Sequence, residues 1–364
     1  MRKLPGLLVS PCRFSQNIAA SGSLWTRRLV PRSPIARADM KKFLTAISTA
    51  AALLISSAAL SAADGNPAFT KASEAGPDFV FQGEYIGGAG DEKWGAQVIA
   101  LGDGKFDAVG YKGGLPGEGW KRGDELHRSK GELKDGTVTL KADDHTATIK
   151  DGVLTVRDPE GKEIAELKKI DRQSPTLGAK PPAGAVVLFD GTTADNFKNG
   201  TLVEENLLGP TNCESKQTFG DHSFHIEFRT PFMPKSRGQG RGNSGVYLQS
   251  RYECQVLDSF GLEGENNECG GIYTIGKPVV NMCFPPLSWQ TYDIDFTAAK
   301  YEDGKKVKNA RCTIKHNGVV IQDDLELTKG TPGKASEGPE PLGIFLQNHG
   351  NPVAFRNIWV VEKK

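Results

Sequence analysis

Short apolar runs that alternate with polar residues and stop at a glycine, an Asn-Gly, an Asp-Gly or a Pro/Gly cluster recur along most of this chain. Few stretches hold an apolar period at helical spacing. Successive side chains of a strand point to opposite faces, so such runs bury one face only and must pair with one another to persist. The 43 glycines and 21 prolines supply the turns. The chain therefore reads as all-β, and its 364 residues suit two domains. Its 45 basic and 44 acidic side chains nearly cancel, so no net field recommends nucleic acid or anionic lipid, and a neutral or small partner is expected.

The first 63 residues stand apart. From Met40, Lys41-Lys42 precede an apolar stretch from Phe43 to Leu60, and Ser61-Ala62-Ala63 close it before Asp64. A basic start, an apolar core and small exit residues make a secretory signal over residues 40–63, cleaved after Ala63. A membrane anchor is the alternative, but the stretch is Ala/Ser-rich and has a fitting exit site. Export to the periplasm or beyond is expected, with no membrane span in the mature form. Residues 1–39, Arg-rich with Asp39 as their only acid, read as an extension upstream of the true start, or else as a longer targeting segment. Of the six cysteines, Cys12 falls in this region and five remain. Cys269 and Cys283 lie on expected loops and form the first candidate pair for a bridge.

Residues 76–172 read as a small β-rich domain, a meander of half-buried strands. Phe79-Val-Phe81 opens it; Ala96–Ala100, Lys105–Tyr111, Thr137–Leu140, Ala147–Ile149 and Val153–Val156 follow with Asp-Gly turns between them. Trp94 and Trp120 suit either a sugar-stacking platform or the core. A Pro/Gly-rich linker spans 173–184 and reads as a semi-rigid spacer. From residue 185 to 364 strands recur at the spacing of a sandwich. Phe224, Ile226 and Phe228 alternate with His225, Glu227 and Arg229, and Asn317-Gly318 marks a hairpin turn. About eight strands with long connections suit a two-sheet jelly roll.

The strand Tyr252-Glu-Cys-Gln-Val-Leu-Asp258 concentrates the chemistry. Glu253 and Gln255 share a face, and a bulge within Val256-Leu257 would return Asp258 to it. Two carboxylates beside one groove suit proton transfer or retaining glycoside hydrolysis. Pairing of both with Arg251 or a lysine at a rim is the structural alternative. The spacing resembles the E-x-D-x-x-E strand of laminarinase-type glycosidases, with Gln255 and Asp258 departing from that pattern.

Further motifs accompany the strand: Leu188-Phe-Asp-Gly191, Asn243-Ser-Gly245, Gly271-Ile-Tyr273, Pro278 to Asn281, Trp289-Gln-Thr-Tyr292, and the run from Leu346 through His349 to Ile358. In this order they resemble the 3-keto-disaccharide hydrolase family across the whole second domain. The small β domain with its proline-rich linker looks like a companion of Planctomycete members of that family, for which the resemblance implies no activity.

The resemblance implies a concanavalin A-like jelly-roll β-sandwich and cleavage of glycosides already oxidised at C3. A C3 ketone acidifies the C2 hydrogen, a base removes it, the enolate expels the C1 group, and water adds to the enone. Glu253, Asp258 and His349 are the candidate proton-handling groups. His349 is placed two residues after Gln347 on one face of a late strand. Asn243, Tyr247, Gln255, Tyr273, Asn281, Trp289 and Gln347 are the candidate substrate-binding residues. A lectin-like glycan-binding module and a retaining glycosidase are the alternatives. His127, His145, His222, His225 and His316 lack metal-ligand spacing and read as structural or solvated. No acidic loop has Ca²⁺-site spacing, so no metal or other cofactor is expected, although jelly-roll sugar proteins often carry Ca²⁺. The sequence leaves the oligomeric state open.

Overall fold

The computed structural model describes residues 66–204 and 206–363. The expected 1–39 extension and 40–63 signal, and Cys12, lie outside the described residues. Among these residues no helix is long and apolar enough to cross a membrane, and they are all-β apart from single short helical turns.

The first eight strands are β1 (Gly83–Ala89), β2 (Glu92–Gly102), β3 (Lys105–Lys112), β4 (Leu126–Lys134), β5 (Thr137–Lys141), β6 (Thr146–Lys150), β7 (Val153–Arg157) and β8 (Glu163–Ile170). Each pairs antiparallel with the next, and β1 also pairs with β8. The expected meander is thus a closed barrel, which leaves no free sheet edge. Phe79–Phe81, expected as a strand, instead belongs to a short helix, α1 (Pro77–Phe81). Proline at its first position has its φ preset for a helix and lacks only an N–H that would go unused there. The turn caps one end of the barrel, with Phe81 edge-on to Phe106 and the Asp78 carboxylate accepting from Gly104 N–H at 3.0 Å.

The second domain adds β9 (Val186–Phe189), β10 (Phe197–Lys198), β11 (Leu202–Val203), β12 (Leu207–Leu208), β13 (Cys213–Ser215), β14 (His222–Arg229), β15 (Ser244–Leu248), β16 (Tyr252–Val256), β17 (Gln290–Thr297), β18 (Lys300–Glu302), β19 (Lys305–Lys308), β20 (Ala310–His316), β21 (Val319–Leu327), β22 (Phe345–Leu346) and β23 (Ala354–Glu362). One sheet runs β10-β13-β22-β15-β16; the other runs β11-β12-β23-β14-β17-β20-β21, with β9 beside β23. Phe224, Ile226 and Phe228 on the second sheet and Val246, Leu248, Cys254, Val256 and Leu346 on the first fill the space between them. This is the expected jelly-roll sandwich. Asn317 (φ 49°) and Gly318 (φ 82°) form the hairpin turn between β20 and β21, two left-handed residues whose twist matches that of the flanking strands.

Barrel and sandwich share a core. Ile99, Val109, Tyr111, Leu115 and Trp120 face away from the barrel interior and pack with sandwich residues. Trp120 stands edge-on to Tyr111 at 5.1 Å and is 8 % exposed, so it is core and not a sugar platform. Arg172, its side chain 9% exposed, grips the buried Glu84, donates to Pro116 O at 2.8 Å and lies over the Phe284 ring. The proline-rich segment is docked rather than free: Thr176 Oγ1 donates to Asp293 Oδ2 and Gly178 N–H to Glu227 Oε1, both at 2.6 Å.

The expected Cys269–Cys283 bridge is absent, and the five described cysteines are buried free thiols. Each sulfur of that pair has an oxygen partner: Cys269 with the Tyr292 hydroxyl at 3.2 Å, Cys283 with Leu257 O at 3.5 Å. His222, His225 and His316 are buried. His225 Nδ1 meets Asp293 at 2.6 Å, and burial presses the His316 pKa down to about 3, so both serve structure.

Candidate functional site

On β15 and β16 the residues that alternate with the core set are Gly245, Tyr247, Glu253 and Gln255. Gly245 is paired across from Gln255 and Tyr247 from Glu253, while Phe345 of β22 pairs with Tyr247. These side chains form the face of the smaller sheet turned away from the core. A face so polar would normally be wet, yet Glu253 is 4 % exposed, because two segments fold over it. Gly271 to Tyr273 runs along the edge of β16, with Tyr273 N–H donating to Glu253 O. The 329–337 loop continues along the same edge and reaches over the face: Thr331 Oγ1 accepts from Glu253 N–H at 2.9 Å, and Tyr247 donates to Pro332 O at 3.2 Å. Gly333 (φ 124°) allows that approach, since a Cβ there would stand 2.5 Å from the Tyr247 hydroxyl. A cleft of about 740 Å³ opens beside this cover, lined by Thr274 and the same loop.

Among the described residues no Lys or Arg comes within ion-pair distance of Glu253. Its carboxyl is left with neutral neighbours. Gln255, in the orientation that satisfies its amide, donates to Ser244 O at 2.8 Å and reaches Glu253 Oε1 at 3.2 Å. Burial pushes the Glu253 pKa up to about 7 against the opposing pull of the Tyr247 hydroxyl. A carboxyl that titrates near neutrality in a covered site is poised for proton transfer. The space it occupies depends on Gly245, where a Cβ would lie 2.3 Å from Glu253 Oε1. Gly245→Ala is therefore expected to displace the carboxyl and lower turnover at least about tenfold, at a stability cost of about 1–3 kcal/mol for the overpacking. Parallel kinetics and urea melts check this; unchanged turnover would show that the carboxyl position does not matter.

Acceptors without donors flank the same sheet face. Asn243 Oδ1 and Gln347 Oε1 are buried with no partner, while the Gln347 amide nitrogen donates to the Tyr247 hydroxyl at 3.0 Å. Unmet buried acceptors of this kind cost free energy unless a ligand supplies hydrogens. His349 does not share a strand with Gln347, because β22 ends at Leu346. It lies exposed on the following loop, which is pinned beside Gly245 from both sides: Gln347 N–H donates to Gly245 O, Ser244 Oγ to Gln347 O, and Asn243 N–H to Asn351 Oδ1.

Three expected site residues lie elsewhere. The β15–β16 pairing keeps register from Ser244↔Val256 to Leu248↔Tyr252, so the strand itself has no bulge, and Asp258 lies beyond its end. Its Oδ2 accepts from Arg241 Nε at 2.6 Å, and both side chains are buried. Arg241 also reaches Ala100 O of the barrel, so this carboxylate is committed to the junction between the domains. Asn281 spends its whole amide on structure: Nδ2 donates to Ser259 O and Leu262 O, and Oδ1 accepts from Cys283 N–H. Trp289 is stacked against the guanidinium groups of Arg229 and Arg356 on the larger sheet. Thr331 and Gly333 are absent from the motifs legible in the sequence, and Gly245 stands there only as the end of Asn243-Ser-Gly245, with no role attached. A Gly-Thr-Pro-Gly run at 330–333 was the available signal for the covering loop.

Residues 184–361 match the 3-keto-alpha-glucoside-1,2-lyase-like domain family. No curated protein matches the chain. Similar solved structures include three candidate glycosyl hydrolases of Parabacteroides distasonis. The first is 30% identical over 50% of this chain and 85% of its own, with a TM-score of 0.46. The second is 16% identical over 50% and 94%, with a TM-score of 0.36. The third is 19% identical over 49% and 99%, with a TM-score of 0.34. The sandwich that carries Glu253 belongs to the 3-keto-alpha-glucoside-1,2-lyase-like domain family.

Proposed function

We propose that this chain is an exported carbohydrate-active enzyme that cleaves 3-keto-glycosides, with Glu253 as the base. The observation that carries the reading is a covered carboxyl without a cation partner, its pKa pushed up to about 7. Glu253 takes the C2 proton, and the C–H electron pair passes to the C3 oxygen as an enolate. Collapse of the enolate breaks the C1–O bond, the departing oxygen takes a proton delivered through His349, and water adds to the enone at C1. The unpaired oxygens of Asn243 and Gln347 receive sugar hydroxyls, with Gln255, Tyr247 and Tyr273 at the walls. The commitment of Asp258 to Arg241 favours this scheme over a retaining glycosidase, which requires two working carboxyl groups.

Incubation with a glucoside and with its 3-keto derivative separates the readings. The ketone is expected to be cleaved and the parent glucoside left intact, and His349→Ala to lose turnover on the ketone. Equal cleavage of both substrates points to an ordinary glycosidase; binding of either without turnover points to a lectin. Because the base acts deprotonated, kcat/KM is expected to rise with pH through about 7 and then level.

A further inference from the structure

The barrel interior is filled at the α1 end and hollow at the other. Tyr85, Val98, Phe106, Val138 and Ile149 pack the filled end. Toward the opposite mouth the inward positions shrink to Ala96, Ala108, Gly110, Ala147 and Ala165, around a cavity of about 320 Å³. An eight-stranded barrel is just wide enough to be filled by side chains or to hold one small guest, and small residues at one end select the second outcome. His127, Asp144 and His145 stand at that mouth, one ligand atom from each lying within 4.8 Å of the others. Each imidazole has its own carboxylate: His127 Nε2 is 3.0 Å from Glu125, and His145 Nδ1 is 2.7 Å from Asp144. The two rings lie 5.7 Å apart, and Trp94 stands 5.4 Å from His127. The Trp94 indole N–H, also on the cavity wall, is buried without a partner.

We propose that the barrel mouth binds one divalent transition-metal ion through His127, His145 and Asp144, with its remaining positions open to the cavity. Donor atoms around an ion at about 2.1 Å lie roughly 3.4 Å apart. Closing the three groups onto an ion then takes about 1 Å of side-chain movement, within the reach of half-exposed rotamers. Two imidazoles with a carboxylate suit zinc, cobalt, nickel or copper rather than the oxygen-seeking calcium or magnesium. Glu125 is placed to orient His127, as outer carboxylates do for metal-bound histidines. The spacing gave no hint of this, because His127 on β4 and His145 before β6 meet only once the barrel closes.

The test uses the full chain without a histidine tag, stripped with chelator and titrated with Zn²⁺ and Ni²⁺ by calorimetry. One equivalent should bind in the micromolar range or tighter. The His127→Ala/His145→Ala variant, checked for an unchanged circular dichroism spectrum, should lose at least about 100-fold in affinity, and Asp144→Asn about tenfold. Cu²⁺ should quench tryptophan fluorescence in the parent chain, and Trp94→Phe should remove most of that quench without changing the stoichiometry. Absence of stoichiometric binding, undiminished affinity in the double variant, or full quenching in Trp94→Phe would each overturn the assignment.

Discussion

Glu253→Gln should abolish turnover on a 3-keto-glycoside and, above neutral pH, make the protein more stable. A general base contributes about 10²–10⁴-fold, so a loss near 10³ is expected. The stability gain follows from the same burial. Glu253 moves from an ordinary 4.5 to about 7 in the folded protein, and each tenfold in proton affinity is worth about 1.4 kcal/mol. The folded-state pKa is raised, so the contribution is fully present below 4.5. It declines as pH rises through the interval up to about 7 and is gone above it, a fall of about 3 kcal/mol. Glutamine keeps the shape and removes the ionisation. Urea melts at pH 4.5 and pH 8 should therefore show similar parent and variant stabilities at the lower pH, and a variant more stable by about 2–3 kcal/mol at the higher. A structural carboxyl would also give the stability change; only a base gives it together with lost turnover. Parallel stability profiles, or turnover within tenfold of the parent, would remove Glu253 from the mechanism.

How much of this was legible depended on whether a feature is local. The alternation of Phe224, Ile226 and Phe228 and the Asn317-Gly318 turn are written within a few residues, and the structure has both. β4 (Leu126–Lys134) and β8 (Glu163–Ile170) went unread because their outer faces are lysine and glutamate, and inward positions such as Ser129 and Gly131 are too small to register as apolar. Phe79-Val-Phe81 has too few residues for a period, and Pro77 with Gly76 at φ 78° decided for a helix. Glu253 was found by its motif, but its burial was not, since Thr331 and Pro332 arrive from 78 and 85 positions along the chain from their partners. Arg251, the partner that the structural alternative offered the strand's carboxylates, turns instead to the carbonyls of Ser336 and Glu340.

Asp258→Ala should damage the fold rather than the chemistry. The change strands the Arg241 guanidinium, whose side chain is 6% exposed and whose Nη2 already lacks a partner. Removing one member of a buried ion pair leaves an uncompensated charge and costs about 3–5 kcal/mol, whereas replacing both by apolar groups of similar size is often neutral or better. The pocket around them favours that replacement: Ile99, Leu101, Val109, Phe260 and Leu262 line it. Asp258→Ala is expected to lower the urea midpoint sharply, and Arg241→Met/Asp258→Leu to recover most of it. The double variant also decides the role of the residue, because it separates folding from proton transfer. Near-parental turnover on the 3-keto substrate would leave Glu253 as the working carboxylate of the strand. A double variant that folds as stably as the parent and turns nothing over would return Asp258 to the catalytic set.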